Sequence, residues 1–353
     1  MDNKKLEGMK LKMKFNETPV RTSKKFGIND IELEDFEVPE NIEKCICKDG
    51  KPSTVPLTYG VSRELEKMVY DKSNKKIKKI YDENEENQEK FVFELNKQNQ
   101  NLLENIEFIF EENSRTDIII MYMSDENTKC FHNGILRINA KKNSKANIVL
   151  INMLNKKTEN FLSIENIVND NACLNYTIVD FGGKTSITNY YSNIIGNNAT
   201  SNLNTIYLGV ENQVFDINYI AELKGKMSNA DIEVQGALKD NAKKNFKGAI
   251  DFKKGCKNAK GNENEFCMLL SDTARSKALP MLLCTEEDVE GNHSSAAGKI
   301  EPKLAFYIMS RGFSYNETMK LIVKAKFNNI IDTIKEEDIR NLIIDEIDKK
   351  LGD

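Results

Sequence analysis

The segment between residues 99 and 290 constrains the fold most, because it consists of many short runs of β-branched and aromatic residues. Asparagine, glycine, lysine and serine separate one run from the next. Short strands with turns between them and no intervening helix predict an all-β domain. A sandwich, a propeller and a β-helix all satisfy this pattern, although asparagine-rich turns suit stacked rungs. The clearest runs are Ile106–Phe110, Ile118–Tyr122, Asn147–Ile151, Tyr176–Val179, Thr205–Leu208 and Phe215–Ile220.

The composition is that of a globular protein with room for a sizeable core. Of the 353 residues, 39% are hydrophobic and 30% are charged, which allows one large domain or two smaller ones. The net charge of −4 argues against nucleic acid as the main partner. The N-terminus lacks the apolar stretch of a secretion signal, and no apolar run approaches a membrane span, so we expect a cytoplasmic protein without membrane contact. Its seven cysteines are scattered and should be reduced thiols there.

Two helical parts are predicted to flank the β domain, which we place at residues 99–298. In residues 1–98, prolines interrupt the first half, and the residue spacing over 62–98 predicts helices with extended connections. In residues 299–353, a capping box that begins at Ser314 and several apolar stripes predict three helices. These stripes must pack on the β domain or on a partner.

The sequence lacks the motifs of an enzyme that works alone. Gly183-Lys184-Thr185 looks like the end of a P-loop, but Ile178 occupies the place of the required first glycine. No bound nucleotide is therefore predicted. Two histidines leave little material for a hydrolytic triad. A carbohydrate-processing enzyme needs clustered carboxylates, which the sequence does not place together.

Cys45 and Cys47 are the first candidate metal ligands. They form a C-x-C pair next to lysines, and thiolates at this spacing could bind a soft metal. The alternative is two cysteines on the same face of an extended segment that has no further ligand nearby. The sequence alone leaves both interpretations open.

A second group of candidates combines Cys256, Cys267, Cys284 and His293 within one stretch. Thiolate and imidazole together are a ligand set for zinc or for an iron–sulfur cluster. Cys284 follows an apolar run, which favours core packing, whereas Cys267 suits the core and a ligand role equally well. His293 is expected on a loop of small residues. There it is either a metal ligand or a polar side chain that only forms hydrogen bonds within the loop.

Several segments, in order and with matching spacing, resemble the SufB/SufD family of iron–sulfur cluster assembly proteins. The resemblance covers roughly residues 90–335 and leaves the first 90 residues unmatched. The segments that carry it are Phe91–Asn96, Asn133–Ile138, Ala146–Val149, Gly236–Ile250, Asn264–Arg275, Gly291–Ile300 and Leu304–Phe313.

The resemblance implies a mainly β fold, with a right-handed parallel β-helix core between α-helical N-terminal and C-terminal parts. It also implies a homodimer, or a heterodimer with a SufB/SufD paralogue, joined through the β-helices. The C-terminal helical part would dock an ABC-type ATPase, SufC, and a nascent iron–sulfur cluster would form at the dimer interface. The histidine that matches His293 is tied to that site in the family.

The sequence departs from the family at one important position. SufB members carry a cysteine where this chain has Glu265, and Cys267 follows two residues later, on the same face of a regular strand. Cys267 could serve in its place, or Glu265 could bind iron through oxygen. Ser294 stands where SufB members tend to have an acidic residue. The chain therefore looks like SufD, or like a minimal SufB/SufD-type protein that pairs with itself.

Two functions follow as expectations. The first is a non-enzymatic scaffold that binds the ATPase and transiently holds a cluster near His293, with Cys267 or Glu265. The second is a β-solenoid that holds protein partners and binds no cluster. They differ in whether His293 and a thiolate lie close in space.

Overall fold

The computed structural model of this chain describes residues 11–20, 25, 27–36, 39, 42 and 50–352. The secondary structure of this part is dominated by strands, which run in sequence from the N-terminal side to residue 299. The strands are β1 (Leu11–Phe15), β2 (Ile31–Phe36), β3 (Lys75–Tyr81), β4 (Glu86–Leu95), β5 (Asn101–Phe110), β6 (Arg115–Ser124), β7 (Phe131–Ala140), β8 (Lys145–Met153), β9 (Glu159–Val168), β10 (Cys173–Asp180), β11 (Thr185–Ile194), β12 (Thr200–Gly209), β13 (Val214–Leu223), β14 (Asn229–Leu238), β15 (Lys243–Phe252), β16 (Ala259–Leu269), β17 (Arg275–Cys284) and β18 (Val289–Lys299). The helices are α1 (Arg63–Lys72), α2 (Pro302–Met309), α3 (Tyr315–Ile331) and α4 (Glu337–Leu351).

Strands β3 to β18 form two eight-stranded sheets that stack into a parallel β-helix. One sheet contains the odd-numbered strands in the order β17 to β3, and the other contains the even-numbered strands in the order β18 to β4. Each rung therefore contributes one strand to each sheet, and neighbouring rungs pair in parallel. Because alternate side chains point to opposite faces, one set fills the lumen between the sheets. The predicted β-helix is confirmed.

Asparagine recurs in one column of turns between the strands. Six asparagines adopt positive φ at equivalent places in successive rungs, and Met227 occupies the same place with a φ of 55°. Asparagine tolerates this left-handed conformation better than most residues. The backbone N–H of Asn113 donates to Lys142 O at 3.1 Å, and the Asn143 side chain donates to Asn113 Oδ1 at 2.9 Å. The asparagines are Asn84, Asn113, Asn143, Asn171, Asn198 and Asn258.

The secondary structure before residue 99 differs from the helical prediction. In the described part of the chain before residue 99, α-helix is present only over Arg63–Lys72, whereas residues 75–81 and 86–95 are strands of the first rung. The reason is packing, since Ile77 and Phe93 are buried in the core that the two sheets enclose. Burial against the next rung outweighs a weak helical spacing.

The three C-terminal helices are present as predicted, and the capping box at Ser314 is formed with Glu317. Helices α3 and α4 pack on the outer face of the even-numbered sheet, where Val323 and Ile343 are fully buried. Each large apolar side chain buried in this way contributes about 1.5–3 kcal/mol. These apolar stripes therefore pack on the β domain.

The two ends of the β-helix differ in charge. At the first rung, β3 carries Lys75, Lys76, Lys78 and Lys79. At the last rung, β18 has no aspartate, glutamate, lysine or arginine between Glu290 and Lys299. Charged side chains, lysine above all, protect an edge strand from pairing with another chain. The other strand of the last rung, β17, carries Arg275 and Lys277, so β18 is the least protected edge among the described strands of the two sheets.

Candidate functional site

The predicted site residues lie at the C-terminal end of the β-helix. Glu265 and Cys267 are on β16, and His293 is on β18, the last strand of the same sheet. The segment around His293, expected as a loop, is an edge strand, because parallel pairing with β16 holds it extended. Its glycine and serine content suggested a loop, but strand pairing overrides that preference.

The strand register decides which of these side chains are neighbours. Cys267 pairs with Ala297, Glu265 with Ser295, and Glu263 with His293. The Ser295 hydroxyl donates to Glu265 Oε2 at 2.8 Å, so these partners project to the same side of the sheet. Four residues separate His293 from the partner of Cys267, which is about 13 Å along a strand. Within one chain, therefore, His293 lies next to Glu263 rather than next to a thiol.

Glu265 is a buried carboxylate whose two oxygens are both engaged. Lys244 Nζ lies 2.6 Å from Oε1, and both side chains are inaccessible to solvent. The Tyr207 hydroxyl donates to the same oxygen at 3.1 Å, and Ser295 donates to the other. Since an ion pair and hydrogen bonds compensate its charge, Glu265 has a structural role that the sequence did not indicate.

Cys267 is fully buried next to this ion pair. Burial raises the pKa of the thiol, although the charge of Lys244 and a hydrogen bond with Tyr207 oppose the rise. The thiolate is the form that binds metal. Metal binding at Cys267 would therefore have to remove a proton from a thiol that the surroundings keep neutral.

Two glycines make room for polar side chains inside the lumen. A Cβ on Gly236 would overlap the ring of Tyr207, and a Cβ on Gly248 would overlap the carboxylate of Glu263. Both glycines have φ outside the left-handed region, so space rather than backbone freedom requires them. The lumen at this end is thus shaped around Tyr207 and Glu263.

Glu263 is the site residue that the sequence analysis missed. Its side chain is completely buried, and neither carboxylate oxygen has a hydrogen-bond partner. Burial raises the pKa of Glu263 to about 8, and the charge of Glu265 adds to the rise. The strand alternation that places Glu265 and Cys267 on one face also places Glu263 there. The same rule applied to the sequence would therefore have identified Glu263.

The remaining candidate cysteines lie at other positions. Cys256 is buried in the turn after β15, where burial raises the pKa of its thiol. Cys284 is exposed at the end of β17, and its thiol donates to Glu286 O at 2.9 Å. Cys45 and Cys47 lie outside the described residues. Among the residues that the structure describes, no group of three or more His, Cys, Asp or Glu side chains could hold a metal ion.

The other histidine, His132, belongs to a separate polar network deeper in the lumen. Its Nδ1 lies 2.6 Å from Asn160 Oδ1, and its Nε2 lies 3.3 Å from Glu104 Oε1. From Asn160 the network continues to Asp180. The Asn160 side-chain amide donates to Ser186 Oγ at 2.9 Å, and the Ser186 hydroxyl donates to Asp180 Oδ2 at 2.8 Å. Burial raises the pKa of Asp180 to about 6. This network satisfies most of its buried polar atoms, although Glu104 Oε2 has no hydrogen-bond partner.

Comparison with known proteins identifies the family. A model described as "SUF system FeS cluster assembly, SufBD core domain" matches residues 93–326. This chain belongs to the SufB/SufD family. The matched region of this SufB/SufD protein extends from the first rung of the β-helix into α3.

Curated relatives of this SufB/SufD chain are similar over part of their length. It is 25% identical to "Iron-sulfur cluster assembly protein SufD" of Bacillus subtilis, over 47% of this chain and 38% of that protein. It is 20% identical to the protein of the same name from Escherichia coli, over 68% of this chain and 57% of that protein. A SufBD family protein of Archaeoglobus fulgidus is 27% identical over 61% of this chain and 58% of its own length. The chain thus spans less than two thirds of these relatives.

The C-terminal helices of the SufB/SufD chain leave an apolar surface uncovered. Phe306 and Tyr307 on α2 are 75% and 58% exposed, and Leu304, Met309 and Phe313 are also exposed. Such a patch is typical of a protein–protein contact. No helix in the described part of the chain is long and apolar enough to span a membrane.

Proposed function

We propose that this SufB/SufD chain is a scaffold component of iron–sulfur cluster assembly, in which the open ends of two β-helices meet and a nascent cluster forms between them. The observation that carries the proposal is the position of His293 on the least protected edge strand, β18, beside a lumen that contains Glu263, Glu265 and Cys267. Imidazole, carboxylate and thiolate are all ligands for iron. In this proposal the cluster is the product under assembly and not a resident cofactor.

A second copy or a paralogue would complete the site. One described chain offers no group of three potential ligands, whereas two ends brought together would supply two sets. A twofold contact between copies is the commonest symmetric arrangement, and the absence of charged residues between Glu290 and Lys299 on β18 permits it. We therefore favour a homodimer, with a SufD-like or minimal SufB/SufD-type role.

The exposed surface of α2 supports an ABC-type ATPase of the SufC kind as the partner. Phe306 and Tyr307 are large and solvent-exposed, and aromatic residues are enriched in protein interfaces. Helices α3 and α4 cover the even-numbered sheet, so deleting residues 314–353 would uncover core as well as remove a docking site. Point substitutions on α2 test the partner without that complication.

The first experiment is anaerobic co-purification of the full chain with the SufC-like ATPase, with the mass read by light scattering. A complex of two chains and two ATPases supports the scaffold. Phe306→Glu should abolish co-elution, whereas Ile195→Glu, which introduces the same charge at an exposed turn of the β-helix, should not. A monomeric chain that ignores the ATPase would indicate a paralogous partner or a different function.

The second experiment measures iron and sulfide after anaerobic reconstitution. His293→Ala should lower both contents, because it removes the exposed imidazole of the edge strand. Ser294→Ala, one residue away on the opposite face of β18, is the matched control and should retain both. Equal contents in wild type and His293→Ala would contradict the site.

A solenoid that holds partners and binds no cluster is the second candidate function. The observation that favours it is the commitment of Glu265 to Lys244 and the burial of the Cys267 thiol. In that case the ATPase complex would form, but neither iron nor sulfide would be retained. The two experiments together separate the candidates.

A further inference from the structure

Among the buried acidic side chains that the structure describes, Glu263 is the one with both carboxylate oxygens lacking a hydrogen-bond partner. Its exposed fraction is 0%. Burying a carboxyl group without partners is costly, so native proteins rarely do so without an unseen ion, a water molecule or a functional reason. The local packing is adapted to this acid, since Gly248 leaves the space that its carboxylate occupies.

His293 is the neighbour of Glu263 on the open side of the last rung. The two residues are register partners on adjacent parallel strands, which lie about 4.8 Å apart. The hydrogen bond between Ser295 and Glu265, two residues further along the same two strands and therefore on the same face, shows that the side chains project to the same side. A buried carboxylate thus has an exposed imidazole next to it, at the end of the lumen that faces solvent.

Glu265 cannot take this role without a large rearrangement. Lys244 already neutralises it at 2.6 Å, so a metal cation there would have to displace a buried ammonium group. Glu263 has no such counter-charge in contact with it. A cation at this end of the β-helix would therefore take Glu263 as its oxygen ligand, with release of the carboxyl proton, two residues before the position that the family resemblance indicates.

We propose that Glu263 and His293 together bind one divalent transition-metal cation at the open end of the β-helix. Carboxylate oxygen and imidazole nitrogen form a ligand pair that suits first-row divalent metals. Water, or groups from a second copy of the chain, would fill the other coordination positions. The identity of the natural cation as iron(II) rests on the proposed function, whereas the site itself rests on Glu263 and His293.

The test uses the full-length chain and Co²⁺ as the probe, with the dissociation constant and stoichiometry measured by isothermal titration calorimetry. We expect one Co²⁺ per chain, and at least about tenfold weaker binding in Glu263→Gln and in His293→Ala. Glu290→Gln removes the same charge from an exposed position on β18 and should bind like wild type. Equal affinity in wild type and Glu263→Gln, or equal weakening in Glu263→Gln and Glu290→Gln, would overturn the site.

Thermal unfolding provides a readout that does not depend on cluster assembly. Co²⁺ should raise the midpoint of wild type, because a ligand that binds only the folded state stabilises it. It should not raise the midpoint of Glu263→Gln. Glu263→Met, which fills the same space with an apolar side chain, is the second variant if the amide folds poorly, and it should behave in the same way. A similar rise in all variants would contradict the proposal.

The outcomes distinguish this inference from the proposed function. Loss of Co²⁺ binding in Glu263→Gln, with no cluster formed by wild type, would support the cation site and reject the scaffold function. Cluster assembly by wild type, with Co²⁺ affinity unchanged in Glu263→Gln, would support the scaffold function and reject the cation site.

Discussion

Lys244 Nζ lies 2.6 Å from Glu265 Oε1, and both side chains are completely shielded from solvent. The ion pair connects the two sheets across the lumen, because Lys244 is on β15 and Glu265 is on β16. The ammonium group also lies 5.9 Å from the centre of the Tyr207 ring. The lumen at the C-terminal end of the β-helix thus contains a neutralised pair, Lys244 and Glu265. Next to this pair lies Glu263, whose carboxyl oxygens have no hydrogen-bond partner.

Removing one partner of this pair should be strongly destabilising. Glu265→Gln leaves the Lys244 ammonium group buried without a counter-charge, which typically costs about 3–5 kcal/mol. Urea unfolding followed by circular dichroism would measure the loss. Asp272→Asn is the control, since it removes one partner of an exposed ion pair with Lys299, and the unfolding midpoint should hardly change. Equal losses in both variants would argue against a special role for the buried pair.

Asp180 should make stability depend on pH in the acidic range. Burial raises the pKa of its carboxyl from 3.8 to about 6, so the folded state holds a proton that the unfolded state releases between these values. The stabilising effect of that proton is complete below about pH 4 and is lost as the pH rises through about 6. The difference amounts to about 2–3 kcal/mol.

The variant Asp180→Asn tests this dependence, because an amide does not titrate and Ser186 can reverse its hydrogen bond to satisfy it. The free energy of unfolding should decline less between pH 4 and 7 in the variant than in wild type. Asp272→Asn, at an exposed position, should retain the wild-type decline. Parallel curves for wild type and Asp180→Asn would contradict the assignment.

Met227 occupies a left-handed position that five of the preceding rungs fill with asparagine. Its φ is 55°, which a side chain without a local hydrogen-bonding group adopts at a cost. Met227→Asn should therefore raise the free energy of unfolding by about 0.5–1 kcal/mol. Lys226→Asn, one residue earlier and without positive φ, should not. A loss of stability in Met227→Asn would mean that the exposed methionine makes a contact worth more than the relieved strain.

Gly236 should tolerate no side chain at all. A Cβ there would overlap the ring of Tyr207, whose hydroxyl donates to Glu265. Gly236→Ala should lower stability by about 3 kcal/mol or more, since overpacking forces the ring and its partners to move. Gly298→Ala on β18 is the matched control, because a Cβ added at that position would meet no atom within 4 Å. Thermal midpoints would separate the two variants, and similar midpoints would contradict this account.

Much of the fold was predictable because its main signals are local. The β-branched runs and the asparagine turns recur in the central rungs, so they specify stacked strands before any tertiary contact is known. Strands β3 and β4 were not predicted, since lysines and acidic residues dominate them. What makes them strands is the buried Ile77 and Phe93 against the next rung, a contact that appears only when the rungs are stacked.

The site was predictable only in part for a similar reason. Strand alternation correctly placed Glu265 and Cys267 on one face, and the same rule would have added Glu263. The pairing of Glu265 with Lys244 could not be foreseen, because the two residues are 21 positions apart and meet across the lumen. The register that places His293 beside Glu263 likewise depends on how β18 pairs with β16. The ligand roles of Cys45 and Cys47 stay predictions, since these residues lie outside the described part of the chain.

The unequal charge of the two ends of the β-helix limits how large an assembly can grow. If both ends were uncharged, each molecule could add another at either side, and stacked rungs would continue from copy to copy into a fibre. With lysines on β3 and no charged residue on β18 between Glu290 and Lys299, pairing through the edge of β18 is favoured over pairing at the first rung. In the proposed dimer, two such ends would meet face to face and cover each other, so the assembly would close at a pair.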